Sequence, residues 1–141
     1  MTFYLDTSFV VAALTREAAS PRVWTWLSDH SEAELHISEW VKTEVSAALS
    51  IKVRNRDLAE HEQAAALSRF AALCSESFLF LPIPIAAFGR AARFADRFQL
   101  SLRSGDALHL AIVEPSRMPL VTLDKRLAEA GPKLGIGTIL A

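Results

Sequence analysis

Short apolar runs alternate with longer helical segments along this chain, and this alternation is the feature that most restricts how it can fold. The apolar runs have the length of buried strands and lie at residues 2–5, 35–37, 78–81, 119–122 and 136–139. Helices are predicted over residues 9–14, 38–53, 57–74, 84–98, 104–113 and 124–130, and one more begins at residue 20. Because strand-helix-strand units form right-handed crossovers, the pattern predicts an α/β fold with helices on both faces of a parallel sheet.

The whole chain, residues 1–141, is predicted to form one domain. Its 141 residues are the usual size of a compact domain, and no repeat, linker or low-complexity segment divides them. Hydrophobic residues make up 51% of the chain and the mean hydropathy is +0.23, which is high for a small soluble protein. We therefore expect a partner to cover part of its apolar surface.

Composition disfavours several classes of protein. The formal net charge is −1, so the chain lacks the overall basic character of a general nucleic-acid binder. Its single cysteine, Cys74, can form neither an internal disulfide nor a cysteine-based zinc site, and we expect a buried, reduced thiol in a cytoplasmic protein. The longest apolar run, residues 78–88, is too short to span a membrane, and Asp6 interrupts the first apolar stretch, unlike a signal peptide.

Four carboxylates stand at unusual positions in this pattern. Asp6 directly follows the first predicted strand, and Asp124 comes two residues after the fourth. Ligands of open parallel sheets bind beyond the carboxyl ends of the strands, so both acids are expected at the same edge. Glu44 lies on the apolar stripe of its helix, and Asp106 opens a helix that is otherwise apolar. A carboxylate directed toward a core is costly unless it is paired or binds a metal. We refer to these residues as the four acids.

Each of the four acids also has an ordinary structural explanation. Asp6 and Asp124 could be helix N-caps, Asp106 could be stabilised by the positive end of its helix, and Glu44 could reach water. Four acids meeting at one edge are harder to explain in this way, because clustered carboxylates repel one another. A divalent cation removes the repulsion, and Mg²⁺ prefers a few carboxylates together with retained waters. Such ions activate water and stabilise the oxygens of a reacting phosphodiester.

The order and spacing of four segments resemble PIN-domain proteins, and among these the VapC toxins. The segments are Tyr-Leu-Asp6-Thr-Ser, Val-Lys-Thr-Glu44-Val, Ser-Gly-Asp106-Ala-Leu-His and Val-Thr-Leu-Asp124-Lys-Arg-Leu. The resemblance covers nearly the whole chain and implies a three-layer α/β/α fold around a five-stranded parallel sheet. It also implies that Asp6, Glu44 and Asp106 hold Mg²⁺, with Mn²⁺ as an alternative ion, and that Asp124 completes the site directly or through a water.

The same resemblance implies an activity and partners. A family member of this type cleaves RNA endonucleolytically with a metal-activated water, is inhibited by a cognate VapB-type antitoxin and forms a homodimer. Hydroxyl groups are expected near the metal at Thr7, Ser8 and Thr122. The sequence leaves open a housekeeping RNA-processing nuclease of the same family. The four acids argue against a non-catalytic α/β binding module, and the lack of a second acid close after Asp6 argues against a phosphoryl-accepting domain.

Two basic clusters are candidates for contacts with RNA phosphates. Arg90, Arg93 and Arg97 share one face of a predicted helix, and Arg103 lies just beyond it. The second cluster comprises Lys52, Arg54 and Arg56. A solvated helix surface is the alternative interpretation of both clusters.

Histidine and tryptophan residues receive structural interpretations. His109 lies one turn after Asp106 and could approach the site, but without a zinc-type spacing of histidines we favour a packing or solvent-exposed role. Trp24 and Trp26 cannot both face one core from the same helix. We expect Trp24 to face inward, because it shares a stripe with Leu27, and Trp26 to face outward.

Overall fold

The computed structural model describes residues 1–141 and contains one sheet of five strands. The strands are β1 Thr2–Leu5, β2 Glu34–Ile37, β3 Leu79–Phe80, β4 Leu120–Thr122 and β5 Thr138–Leu140. They lie in the order β3-β2-β1-β4-β5, and every pairing is parallel. The predicted α/β class and the five-stranded parallel sheet are confirmed, although β3 is shorter than the apolar run that predicts it.

Seven helices flank the sheet, and each corresponds to a predicted helix. They are α1 Thr7–Leu14, α2 Ser20–Asp29, α3 Glu39–Arg54, α4 Glu60–Glu76, α5 Ala86–Asp96, α6 Ser104–Val113 and α7 Lys125–Lys133. Two short 3-10 turns lie at Phe98–Leu100 and Glu114–Ser116. All of the helices fall short of the length and hydropathy that crossing a bilayer requires.

The last helix, α7, continues past the Gly131-Pro132 pair that the sequence predicts as its end. A proline inside a helix leaves the carbonyl four residues earlier without its usual N–H donor. Here that carbonyl belongs to Ala128, and the hydroxyl of Thr138 donates a hydrogen bond to it at 2.6 Å. Because a side chain of β5 replaces the missing backbone donor, α7 extends to Lys133.

The sheet separates two apolar cores, because side chains alternate in direction along each strand. On β1, Phe3 and Leu5 belong to a cluster of 15 buried residues that includes side chains of α1 to α4. Tyr4 points the other way, into a cluster of 14 buried residues that includes side chains of α5, α6 and α7. Helices therefore cover both faces, which confirms the three-layer α/β/α arrangement.

The orientation predicted for the tryptophans of α2 is wrong. Trp24 is 46% exposed, and its indole N–H donates to the carbonyl of Ala13 at 3.1 Å. Trp26 packs edge-on against Phe3 and Phe9 in the core, with ring centroids 5.1 and 5.3 Å apart. Val23 is the fully buried apolar residue of α2. Trp26 and Leu27 follow it by three and four positions and lie on its face of the helix, whereas Trp24 is its direct neighbour and does not.

The central strands bring several chain segments to one edge of the sheet. β1 lies at the centre of the sheet beside β4, with Leu5 opposite Val121. The chain leaves β1 at Asp6 and leaves β4 at Thr122, so the residues that follow both strands emerge together. This carboxyl edge holds the candidate site.

Candidate active site

Asp6 joins the ends of β1 and β4 through its carboxylate. It is the N-cap of α1 and is 3% exposed. Its Oδ1 accepts hydrogen bonds from the hydroxyl of Ser8 at 2.7 Å and the backbone N–H of Phe9 at 3.1 Å. Its Oδ2 accepts one from the hydroxyl of Thr122 at 2.6 Å. Burial raises the pKa of Asp6 above its ordinary value, although these donors and His109 act in the opposite direction.

Asp124 is the N-cap of α7. Its Oδ1 accepts hydrogen bonds from the backbone N–H groups of Arg126 at 2.8 Å and Leu127 at 3.4 Å. The N-cap explanation that the sequence offers for Asp6 and Asp124 is therefore correct for both. Capping of α7 engages only Oδ1 of the half-buried Asp124, so the other oxygen is left for a further ligand.

Glu44 is half-buried on α3, between α1 and α6. Its Oε1 accepts hydrogen bonds from the hydroxyl of Thr7 at 2.7 Å and from Nε2 of His109 at 2.5 Å. Its Oε2 lies against α6, where a Cβ placed on Gly105 would come within 2.7 Å of it. Burial acts to raise the pKa of Glu44, but the interactions with His109 and Thr7 outweigh it and hold the pKa below its ordinary value.

Asp106 lies in the first turn of α6 and has none of the side-chain hydrogen bonds that engage the other three acids. Burial raises the pKa of Asp106 to about 6, and the negative charges of Asp124, Asp6 and Glu44 add to this effect against the opposing influence of His109. The negative charges of the other three acids therefore act on Asp106 at this edge of the sheet.

The four acids share an edge without forming a closed metal cage. No three Asp, Glu, His or Cys side chains lie close enough together to hold an ion by themselves. The donor set still fits Mg²⁺, because it consists of oxygens whose mutual repulsion a cation would relieve. Mg²⁺ sites commonly use only one or two carboxylates, with waters in the remaining positions. Metal binding stays a prediction that the chemistry of these residues supports.

Two cavities share Asp124 in their lining, and both carry basic side chains. The first is lined by Ser101, Arg103, Asp106, Asp124, Lys125 and Arg126. The second includes the hydroxyl residues Thr7 and Ser8 together with Glu17, Arg22 and Lys52. The basic residues of α2 and α7 in these cavities have no regular spacing in the sequence, so no helix-face pattern could have identified them.

The arginines predicted to bind RNA do not lie together. Arg90 donates at 2.9 Å to the carbonyl of Ala111, at the opposite end of α6 from the acids. Arg97 donates at 3.4 Å to the carbonyl of the last residue of α7, and Arg93 is exposed on α5. Arg103 shares a cavity with two of the four acids. RNA contact by this set stays a prediction, and the geometry favours Arg103.

His109 is the residue whose importance the sequence underestimates. It is 2% exposed, and Nδ1 lies 2.8 Å from the hydroxyl of Tyr4 while Nε2 contacts Glu44. The Tyr4 hydroxyl in turn lies 2.8 Å from Oγ of Ser38. The available signal was the spacing of three residues from Asp106, which places both side chains on one face of α6.

Comparison with known proteins identifies related sequences and folds. A model of the PIN domain family matches residues 3–132. No curated protein matches the chain in sequence.

Solved structures of similar fold come from several organisms. VapBC2 of Rickettsia felis, bound to a DNA fragment of its promoter, has 14% identity and a TM-score of 0.70, over 99% of this chain and 98% of the other. VapC20 of Mycobacterium tuberculosis, a Sarcin-Ricin loop cleaving toxin, has 16% identity and a TM-score of 0.72, over 92% and 95%. PAE2754 of Pyrobaculum aerophilum has 23% identity and a TM-score of 0.67, over 92% and 84%. At these identities the likeness concerns the fold.

Proposed function

The chain belongs to the PIN domain family, and on this premise we propose that it is a metal-dependent endoribonuclease that hydrolyses RNA phosphodiesters through a metal-activated water. The observation that carries the proposal is the gathering of the four acids at the carboxyl edge of β1 and β4, where the charges of the other three act on Asp106. An oxygen-only donor set of this kind suits a hard divalent cation and phosphodiester chemistry.

The residues proposed to hold Mg²⁺ are Asp6, Glu44 and Asp106, with Asp124 completing the site directly or through a water and Mn²⁺ as an alternative ion. When bound, such an ion lowers the pKa of a water and stabilises negative charge on the phosphate. The protein's part is orientation. Serine and threonine hydroxyls fix both oxygens of Asp6, and one oxygen of Glu44 is fixed by Thr7 and His109.

We propose that the RNA backbone crosses the four acids between the two cavities that meet at Asp124. Basic side chains flank the acids on both sides: Arg103, Lys125 and Arg126 in one cavity, Arg22 and Lys52 in the other. Contacts of this kind hold phosphates without reading the base sequence. They would allow a chain of net charge −1 to bind a polyanion locally.

A toxin role with two protein partners is the form of this activity that we propose. Solved complexes of similar fold include toxin-antitoxin pairs, which supports a VapB-type antitoxin as partner. Large apolar side chains are exposed at and beside α5, with Ile85 90%, Phe98 81% and Phe88 56% exposed. The antitoxin or a second copy in a homodimer would cover such a surface.

We place the complex in the cytoplasm, where its RNA substrate and a reduced Cys74 are both expected.

The test is to map RNA ends after incubation with purified protein. We expect discrete new ends with wild-type protein in Mg²⁺, and none with wild-type protein in chelator or with Asp106→Asn in Mg²⁺. The same ends in all three samples would refute the proposed mechanism.

Co-expression with a small protein encoded beside the gene separates the two biological roles, because suppression of cleavage supports a toxin and unaffected cleavage supports a housekeeping nuclease.

A further inference from the structure

Four buried or half-buried side chains form a hydrogen-bonded chain that ends on Glu44. Oγ of Ser38 lies 2.8 Å from the hydroxyl of Tyr4, which lies 2.8 Å from Nδ1 of His109. Nε2 of His109 lies 2.5 Å from Oε1 of Glu44. Ser38 and Tyr4 are 0% exposed and His109 is 2% exposed, so water does not reach the hydrogen bonds between these three side chains.

The Glu44 carboxylate determines which group donates each hydrogen bond in this series. An ionised carboxylate can only accept hydrogen bonds, so Nε2 of His109 must carry the hydrogen that it shares with Glu44. In the neutral ring Nδ1 is then an acceptor, and the Tyr4 hydroxyl donates to it. The hydroxyl of Ser38 donates to Tyr4 in turn. Every hydrogen in the series has an acceptor, which is the arrangement that buried polar groups require.

The consequence for Glu44 is a difference between its two oxygens. Oε1 takes both hydrogen bonds, from His109 and from Thr7. Oε2 takes neither and lies beside Gly105, the residue before Asp106. The carboxylate is therefore held by one oxygen, and the other is left for a ligand.

We infer that His109, oriented by Tyr4 and Ser38, is a positioning residue that fixes the Glu44 carboxylate so that Oε2 is free to bind a divalent cation. The inference rests on the proposed metal-dependent function. A hydrogen-bonded partner behind a metal ligand fixes the direction in which the ligand's other atoms point, and loss of such partners commonly weakens metal binding 10- to 100-fold. The three residues come from β1, the start of α3 and α6, so one chain of bonds ties three elements to the acid.

A matched pair of variants at position 109 tests the inference. The amide nitrogen of glutamine can take the place of Nε2, whereas asparagine is shorter and can replace only Nδ1. We expect His109→Gln to bind Mn²⁺ within about threefold of wild type. We expect His109→Asn to lose about 10- to 100-fold in Mn²⁺ affinity. The readout is the free Mn²⁺ signal in electron paramagnetic resonance, with thermal unfolding in chelator to confirm that both variants fold.

A second measurement needs no substitution at the histidine. Long-range ¹H–¹⁵N correlation spectra of metal-free wild-type protein at pH 8 are expected to show His109 in the tautomer with hydrogen on Nε2. In Tyr4→Phe the donor to Nδ1 is absent, but Glu44 still requires the hydrogen on Nε2. We therefore expect the same tautomer as in wild type, and a smaller loss of Mn²⁺ affinity than in His109→Asn.

The outcomes separate the inference from the proposed function. Equal Mn²⁺ affinity in wild type and His109→Asn would overturn the inference, as would equal losses in the Asn and Gln variants, which would indicate packing alone. A wild-type tautomer with hydrogen on Nδ1 would overturn it as well. Wild-type protein that binds no Mn²⁺ but still cleaves RNA in chelator would overturn the metal-dependent function itself.

Discussion

The site has two sides, one at Glu44 and one at Asp106, and they differ in how many hydrogen-bond donors the protein supplies to the carboxylate. On one side, Glu44 is held by Thr7 and His109, and its pKa lies below its ordinary value. On the other side, Asp106 has no such donors, and its pKa is raised to about 6 by burial and neighbouring negative charge. The Glu44 carboxylate is therefore held by the protein's own donors, whereas the Asp106 carboxylate is not.

On the proposed metal-dependent function, this difference would give the site both a fixed geometry and a need for the ion. Hydrogen bonds fix the carboxylates of Asp6 and Glu44 without an ion. A bound cation would relieve the repulsion on Asp106, and this relief would favour the bound state. Four measurements test the difference between Glu44 and Asp106.

The largest expected effect is on catalysis, where the two sides should behave alike. Glu44→Gln and Asp106→Asn each remove one carboxylate charge, and we expect each to reduce RNA cleavage by roughly a thousandfold or more, as for other groups directly involved in chemistry. Asp6→Asn should have an effect of the same order. The check is single-turnover cleavage in Mg²⁺. Near-normal cleavage by any of these variants would remove that acid from the mechanism.

The second effect is on stability without metal, where the two sides should differ in sign. In chelator at pH 7, Asp106→Asn relieves repulsion, and we expect it to raise the free energy of unfolding by about 1 kcal/mol. Glu44→Gln leaves two donors with a weaker acceptor, and we expect it to lower the free energy of unfolding by about 1 kcal/mol. Denaturant unfolding measures both. Changes of the same sign in the two variants would erase the distinction between the two sides.

The third effect is the pH dependence of stability in chelator. The pKa of Asp106 in the folded protein, about 6, lies above the ordinary 3.8, so the folded state holds this proton more tightly than the unfolded state. The resulting stabilisation is complete below about pH 4 and is lost as the pH rises through about 6. We therefore expect wild-type protein to lose stability relative to Asp106→Asn between pH 4 and pH 6.5. Parallel stability curves for the two proteins would show that Asp106 titrates normally.

The smallest effect concerns the basic residues that share a cavity with Asp106. Arg103→Ala should weaken RNA binding several-fold and reduce the slope of log affinity against log salt by up to about one unit. Arg93→Ala removes the same group from an exposed position on α5 and is the matched control. Filter binding in the catalytically inactive Asp106→Asn background measures both. An equal change in the two variants would instead support RNA contact by the predicted arginine face of α5.

Much of the fold follows from local patterns, because apolar runs and capping residues act over a few positions. Those patterns predict the parallel class and all seven helices. They also place Asp6 and Asp124 correctly, since Asp6 directly follows β1 and Asp124 comes two residues after β4. The strand order depends on how distant segments pack, and nothing in the spacing of the runs specifies it.

The missed features are those that depend on contacts between distant residues. The bond from Thr122 to Asp6 spans 116 positions, and that from Tyr4 to His109 spans 105. Periodicity identifies residues on a common helix face but does not say what that face meets. This is why the arginine set divides in the structure. It is also why the choice between Trp24 and Trp26, which depends on where the stripe of α2 begins, was wrong.

The close approach of Glu44 to Gly105 has a consequence for recognising inactive relatives. In a helix, alanine is preferred over glycine by about 1 kcal/mol. At position 105, however, its methyl group would displace the Glu44 carboxylate. On the proposed nuclease function, a related gene with this alanine would encode an inactive but more stable protein that keeps all four acids. A comparison that scores related genes by the four acids alone would count this one as active. The position that reveals the difference is Gly105.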